Sequence, residues 1–112
     1  MSILLLALFL QDLNGDLPPS PIRDGSDWFP MTPYPAEALA KRQQGKVSAM
    51  LAIDAKGRVV GCRITSSSGS AALDRQTCEL ARRNARFVPA SHAGTAVAGS
   101  FALRDVTWVL PE

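Results

Sequence analysis

The sequence predicts an α+β domain in which two helices pack on one face of a small three-stranded antiparallel sheet. Three observations predict it: a helix-forming run near residue 35, two alternating apolar segments joined by a turn, and a second helical run followed by a long segment rich in Val, Phe and Trp. The elements follow in the order helix, strand, strand, helix, strand. Short connections between them favour antiparallel pairing.

The first helix is predicted over residues 35–44, a run of good helix formers. Pro35 suits the first helical position, and Glu37 places a negative charge in the first turn. Gly45 follows the run and is typical of the residue that ends a helix. We therefore expect the chain to turn at Gly45 into the first strand.

A β-hairpin is predicted next. Apolar residues alternate over 47–53 and again over 59–65, the period of two expected when one face of a strand is buried. Between them, Asp54 and Gly57 stand at the first and fourth positions of a turn. In the second strand, Val60, Cys62 and Ile64 are predicted to face the helices.

The second helix is predicted to begin at Ala71, with the Ser70 hydroxyl as its N-cap. Apolar residues then recur at spacings of three and four, which is typical of a helix with one buried face. Arg82 and Arg83 lie in the last turns, where cations interact favourably with the helix dipole.

The final strand is predicted over residues 95–110, with a bulge near Arg104 and Asp105 where its alternation slips. Because it enters the sheet after both helices, we expect the stretch 97–109 to lie at an edge, with free backbone groups that can bind an extended peptide. The opposite interpretation is that Arg104, Asp105 and Pro111 discourage pairing at this edge. On the first interpretation, the residues predicted to contact a partner are Val97, Ala98, Gly99, Ser100, Phe101, Ala102 and Leu103.

The N-terminal part divides into two segments. Residues 1–13 contain the apolar run 3–10, which is shorter than the roughly 20 residues that span a bilayer and resembles the core of a secretion signal. A start codon inside a longer membrane anchor and an apolar arm packed on the fold are the alternatives. Residues 14–27 are Pro-rich and typical of a linker or extended arm. The folded domain is predicted to comprise residues 28–112, with residues 1–27 outside it.

The chain has two cysteines, Cys62 and Cys78. An even count behind an export-like segment favours a disulfide and an oxidising compartment, although two buried free thiols are the alternative. Both sulfurs are predicted to point into the seam between helix and sheet. Closing this loop would stabilise the domain by roughly 3 kcal/mol.

Composition and motifs argue against several functions. The formal net charge of +2 is too small for a nucleic-acid-binding face. The single histidine, His92, lies in a predicted loop without a paired nucleophile, and the two cysteines do not match a zinc spacing. We therefore predict no enzyme activity, no metal and no cofactor. A small hydrolase that uses His92 is the weakest rival.

Several short motifs occur in one order and spacing: Tyr34-Pro35, the entry Gly45-Lys-Val47, the turn Asp54-x-x-Gly57, the loop 66–69 and the ending Arg86-Phe87-Val-Pro89. Together they resemble the TonB C-terminal domain, with a match from about residue 28 to 110. The resemblance implies a periplasmic domain of an energy transducer. Such a domain captures the Ton box, a short peptide of an outer-membrane receptor, by strand addition.

The resemblance also implies that the segment from Met31 to Tyr34 lies close to the incoming peptide. Family members often carry Gln where this chain has Met31. Full transducers have a spanning helix and a long Pro-rich spacer, whereas residues 1–10 and 11–27 are too short for these roles. Membrane contact is therefore expected only through an uncleaved N-terminal segment, or through a tether encoded upstream of Met1. The alternative function is a self-associating structural domain that forms a homodimer through the same edge strand.

Overall fold

A computed structural model describes residues 15–112, which form two helices and eight strands in three antiparallel sheets. Residues 1–14, and with them the predicted leader, lie outside the described residues. In chain order the elements are β1 (Asp16–Leu17), β2 (Ser20–Pro21), α1 (Ala36–Ala40), β3 (Gly45–Ile53), β4 (Val59–Ser66), α2 (Ala71–Asn84), β5 (Phe87–Val88), β6 (Ala90–His92), β7 (Thr95–Val97) and β8 (Gly99–Trp108).

The central sheet has the strand order β4-β3-β8. The predicted α+β class and the three predicted strands are therefore confirmed for this sheet. The prediction of a single sheet is wrong, because two small sheets accompany it, with orders β1-β6-β7 and β2-β5. The final segment divides at Ala98, so that β7 pairs with β6 and β8 pairs with β3.

The turn that joins β3 and β4 has the predicted form. Gly57 donates its N–H to Asp54 O at 3.0 Å, and the Asp54 carboxylate accepts the N–H groups of Lys56 and Arg58, each at 2.9 Å. Gly57 has φ +81°, and a Cβ there would lie 2.0 Å from Phe87 O. Only glycine fits this turn, because both the backbone conformation and the close contact exclude a side chain.

The prediction that Val60 faces the core is wrong. Val60 is 61% exposed, whereas Val59 is 7% exposed. Ala52 lies opposite Gly61 and Ile53 opposite Val59, so Val60 is the extra residue of a β-bulge. The bulge turns Val59 toward the core in place of Val60.

The start of α2 and the end of α1 are each determined by local interactions. The Ser70 hydroxyl accepts the N–H of Leu73 at 3.3 Å, so α2 begins at the predicted cap. Helix α1 ends at Ala40, earlier than predicted, because Arg42 adopts φ 53°. The N–H groups of Arg42 and Gln43 then bond back to carbonyls within the last turn of α1.

The predicted bulge in the final strand is confirmed. Val106 lies opposite Val47 and Leu103 opposite Ala49, so two residues of β8 face the single residue Ser48. Asp105 has φ 55° and donates its N–H to the Ser48 hydroxyl at 3.0 Å. The irregularity interrupts the ladder of β8 between residues 103 and 106.

The arm differs from its expected role as a linker outside the folded unit. Strand β1 pairs with β6, β2 pairs with β5, and Ile22 donates its N–H to Arg86 O at 3.0 Å. Pro19 is buried and lies beside Gly99, where an added Cβ would be 3.0 Å from the Pro19 ring. Prolines favour extended backbone and are tolerated in edge strands, which explains why this composition supports pairing.

The core lies between the central sheet and α2. Its largest fully buried side chains are Trp108, Phe87, Leu51, Ile53, Leu73, Val47 and Thr77. Cys62 of β4 and Cys78 of α2 form a disulfide with their Cα atoms 5.7 Å apart, which confirms the predicted bridge. Within residues 15–112, no helix has the length and apolar character needed to cross a bilayer.

Candidate functional site

The candidate site is the outer edge of β8. In the central sheet β8 pairs with β3 on one side, and no strand of the described chain pairs with its other side. A strand of ten residues, Gly99–Trp108, therefore presents a row of backbone groups to solvent.

The turn of the hairpin fixes which backbone groups of β3 point toward β8. Asp54, directly after β3, donates its N–H to Arg58 O at 2.9 Å, so its polar groups point toward β4. Alternate residues of a strand direct their polar groups to opposite neighbours. The backbone groups of Ile53 and Leu51 therefore point toward β8.

This alternation identifies the free amides of β8. Leu51 lies opposite Phe101, so the backbone groups of Phe101 face β3. The N–H and C=O groups of Ser100 and Ala102 then point away from β3, toward the open side. A peptide that extends the sheet would bond to these two residues.

The two faces of β8 differ in chemistry. On the inner face, Leu103, Val106 and Trp108 are buried and Phe101 is partly buried. On the outer face, Ser100, Ala102 and Arg104 are exposed. An added strand would therefore place alternate side chains against an apolar surface and against small or basic residues.

Aromatic contacts hold the segment 28–34 beside β8. The ring centroid of Trp28 lies 5.3 Å from that of Phe87, which lies 4.8 Å from that of Phe101. At the other end of the segment, Tyr34 and Trp108 pack edge to face at 5.6 Å. The segment therefore contacts β8 directly at Trp108, and at its other end it is linked to Phe101 of β8 through Phe87 of β5.

The predicted partner residues Met31 and Tyr34 lie in this segment. Tyr34 is 7% exposed, and its hydroxyl donates to Gln43 O at 2.6 Å. Burial raises the pKa of the Tyr34 phenol. Its side chain is occupied in the core, whereas Met31 is partly buried against the core and keeps some exposed surface.

The predicted strand residues do not all lie on the free edge. Val97 belongs to β7 and pairs with Ala90 of β6, and Ala98 links the two strands. Gly99 through Leu103 lie in β8. The predicted stretch 97–103 is therefore divided between two sheets, and its part from Gly99 onward follows the open edge.

The sequence predicted Arg104 as part of a bulge and as a residue that discourages pairing, but not as a contact for a partner. Arg104 lines a depression of about 340 Å³ on the outer face of the sheet, together with Met50, Thr65 and Ala102. The break in apolar alternation at residues 104–105 was the sequence signal for this position, because it marks where the regular pairing of β8 with β3 is interrupted.

The chain's single histidine lies in the small sheet β1-β6-β7. His92 Nδ1 and the Asp16 carboxylate form an exposed contact between β6 and β1. Among residues 15–112, no three side chains of His, Cys, Asp or Glu are grouped as metal ligands.

The comparisons with known proteins identify the family of this chain. Residues 30–110 match the model of the family described as Gram-negative bacterial TonB protein C-terminal. The chain belongs to the TonB C-terminal domain family. Over 50 residues it is also 44% identical to a protein named Protein TonB from Pseudomonas putida.

That alignment covers 45% of this chain and 21% of the Pseudomonas protein, so the chain matches about a fifth of that relative's length. The family match is broader, because it includes α1, the central sheet, α2 and all of β8. The TonB C-terminal domain is periplasmic, and a disulfide such as Cys62–Cys78 is stable in that oxidising compartment.

Proposed function

We propose that this TonB-type domain is a periplasmic binding module, not an enzyme, for energy-dependent transport across the outer membrane. It captures a Ton box-like peptide of an outer-membrane receptor by adding it as a strand beside β8. The observation that carries the proposal is the unpaired edge at Ser100 and Ala102. Family membership supports the receptor as the partner.

The mode of binding follows from the backbone. Two residues with outward N–H and C=O groups supply four hydrogen-bonding groups that any extended peptide can match. Binding through the backbone depends weakly on the peptide's side chains, so one module can serve several receptors. On the inner face, the partly buried Phe101 adds apolar contacts for alternate side chains of the peptide, and we propose Met31 as a further contact.

The experiment uses proline at an outward amide. In Ala102→Pro, the free donor is removed while the bonds between β8 and β3 remain, so the domain should fold and lose peptide binding by at least about tenfold. The matched control is Ala102→Ser, which keeps the donor and should bind normally. Ser100→Pro provides a second outward position.

Phe101→Pro is the opposite control. Its N–H faces β3, so proline there breaks the central ladder and should unfold the domain. Binding is measured by titration with a receptor N-terminal peptide, and folding by circular dichroism. Unchanged affinity in folded Ala102→Pro would show that the peptide binds elsewhere.

The same free edge also favours a second candidate, in which two copies pair through β8 as a structural homodimer. Mass measured in solution separates the candidates. A monomer that binds peptide supports the transport module. A dimer that Ala102→Pro dissociates, without any peptide binding by the wild-type chain, supports the structural role.

A further inference from the structure

We infer that Arg104 selects peptides that carry a carboxylate on the outer face of the added strand. This inference rests on the proposed function, because it concerns the side-chain specificity of the same edge. Arg104 is exposed on β8, two residues beyond Ala102. Nothing about the backbone hydrogen bonds requires an arginine at this position.

The guanidinium of Arg104 has no carboxylate partner among the described residues, in contrast to several other arginines. Arg58 pairs with Asp54 at 3.1 Å, and Arg75 pairs with Glu37 at 3.3 Å. An arginine on an open binding edge without an internal partner is available for a carboxylate from outside.

The bulge sets where that carboxylate must lie. Asp105 has φ 55° and directs its N–H to Ser48, so regular pairing of an added strand ends near residue 104. A peptide residue opposite Ala102 lies about 5 Å from it, and its diagonal neighbours lie about 7–8 Å away. Arg104 can therefore reach an outer-face side chain at the last paired position of the peptide.

The net charge of the residues around Arg104 acts in the same direction as Arg104 itself. Arg63 lies opposite Met50, which lies opposite Ala102, so these three residues form one cross-strand row on the outer face. Lys46 is exposed further along β3, and Asp105 contributes an opposing charge next to Arg104. The local excess of positive charge favours an acidic side chain and disfavours a basic one.

The test is a double-mutant cycle with short peptides of alternating Val and Thr. One outward Thr at a time is replaced by Glu or by Gln, and each peptide is titrated into wild-type protein and Arg104→Gln. At one of the replaced Thr positions, wild-type protein should bind the Glu peptide about three- to fivefold more tightly than the Gln peptide. Arg104→Gln should remove that preference. The preference should weaken as salt is raised.

Glu at the alternate positions, which face the apolar side of β8, should weaken binding to both proteins. Arg104→Lys should retain part of the preference, and Arg104→Glu should reverse it toward a Lys peptide. The matched control Arg83→Gln changes an exposed arginine on α2 and should leave the preference intact.

Equal affinity of Glu and Gln peptides at every outward position would overturn the inference while leaving strand addition standing. Loss of all peptide binding by wild type would overturn the proposed function instead. A preference for Glu that survives in Arg104→Gln would assign the selection to another residue and contradict the role of Arg104.

Discussion

The two edge strands of the central sheet differ in how far the rest of the chain holds them. Strand β4 carries a bulge at Val60 and is tied to α2 by the disulfide Cys62–Cys78. Strand β8 pairs with β3, and on its inner face Trp108 Nε1 donates to the Thr77 hydroxyl at 2.9 Å. Both outer strands of this sheet lack a strand partner on their open side among residues 15–112, but β4 alone has a covalent link to the helix.

Removing the disulfide is expected to have the largest effect on stability. The double change Cys62→Ser and Cys78→Ser should lower the free energy of unfolding by about 3 kcal/mol, because the unfolded chain gains the entropy of an open loop. Chemical denaturation with and without the bridge measures this. Peptide affinity of the folded fraction should stay the same, since the bridge lies on the β4 side. A loss of affinity would mean that the two edges are coupled.

The hydrogen bond between Trp108 and Thr77, which anchors β8, should contribute less to stability than the disulfide. Thr77→Val leaves the buried Trp108 indole N–H without an acceptor and should cost about 2 kcal/mol. Thr77→Ser keeps the hydroxyl and should cost much less. Thermal unfolding of both variants tests the difference. Equal stability of Thr77→Val and wild type would show that β8 does not depend on this bond.

Truncation of the arm should have a smaller effect. A chain that begins at Trp28 loses the pairing of residues 16–22 with β5 and β6, yet Leu17 and Ile22 in that segment are more than half exposed. We expect a loss of about 1 kcal/mol, or roughly 4–8 °C in melting temperature. A chain that no longer folds would place the domain boundary before residue 28.

The hairpin turn should make stability depend weakly on pH. Hydrogen bonding from Arg58, mainly from its backbone N–H, lowers the pKa of Asp54 below its ordinary value of 3.8. The stabilisation is therefore present above the unfolded pKa and is lost as pH falls through the lower folded pKa. The stability difference between wild type and Asp54→Asn should shrink on acidification from pH 6 to pH 2.5. A difference that grows on acidification would reverse the assigned sign.

Much of the fold could be predicted because its signals are local. The turn at Asp54–Gly57, the cap at Ser70 and the bulge at residues 104–105 each arise from residue types whose preferences act over a few positions. The disulfide followed from an even cysteine count and a shared seam. These features needed no knowledge of distant contacts.

The remaining features depend on contacts between distant segments. The arm pairs through strands of two residues that show no apolar alternation, so nothing in residues 16–21 predicts a strand. The bulge at Val60 leaves the apolar pattern of β4 intact while reversing which valine is buried. The burial of Tyr34 depends on Trp108, which lies far along the chain.

Amide hydrogen exchange with and without a receptor peptide reports on both edges of the central sheet at once, and so shows which strand the peptide joins. In the free domain, the amides of Ser100 and Ala102 should exchange fast, and that of Phe101 slowly. Peptide should protect Ser100 and Ala102 and leave the amides of β4 unchanged. Protection along β4, or unchanged exchange at Ser100 and Ala102 when peptide is bound, would contradict strand addition at β8.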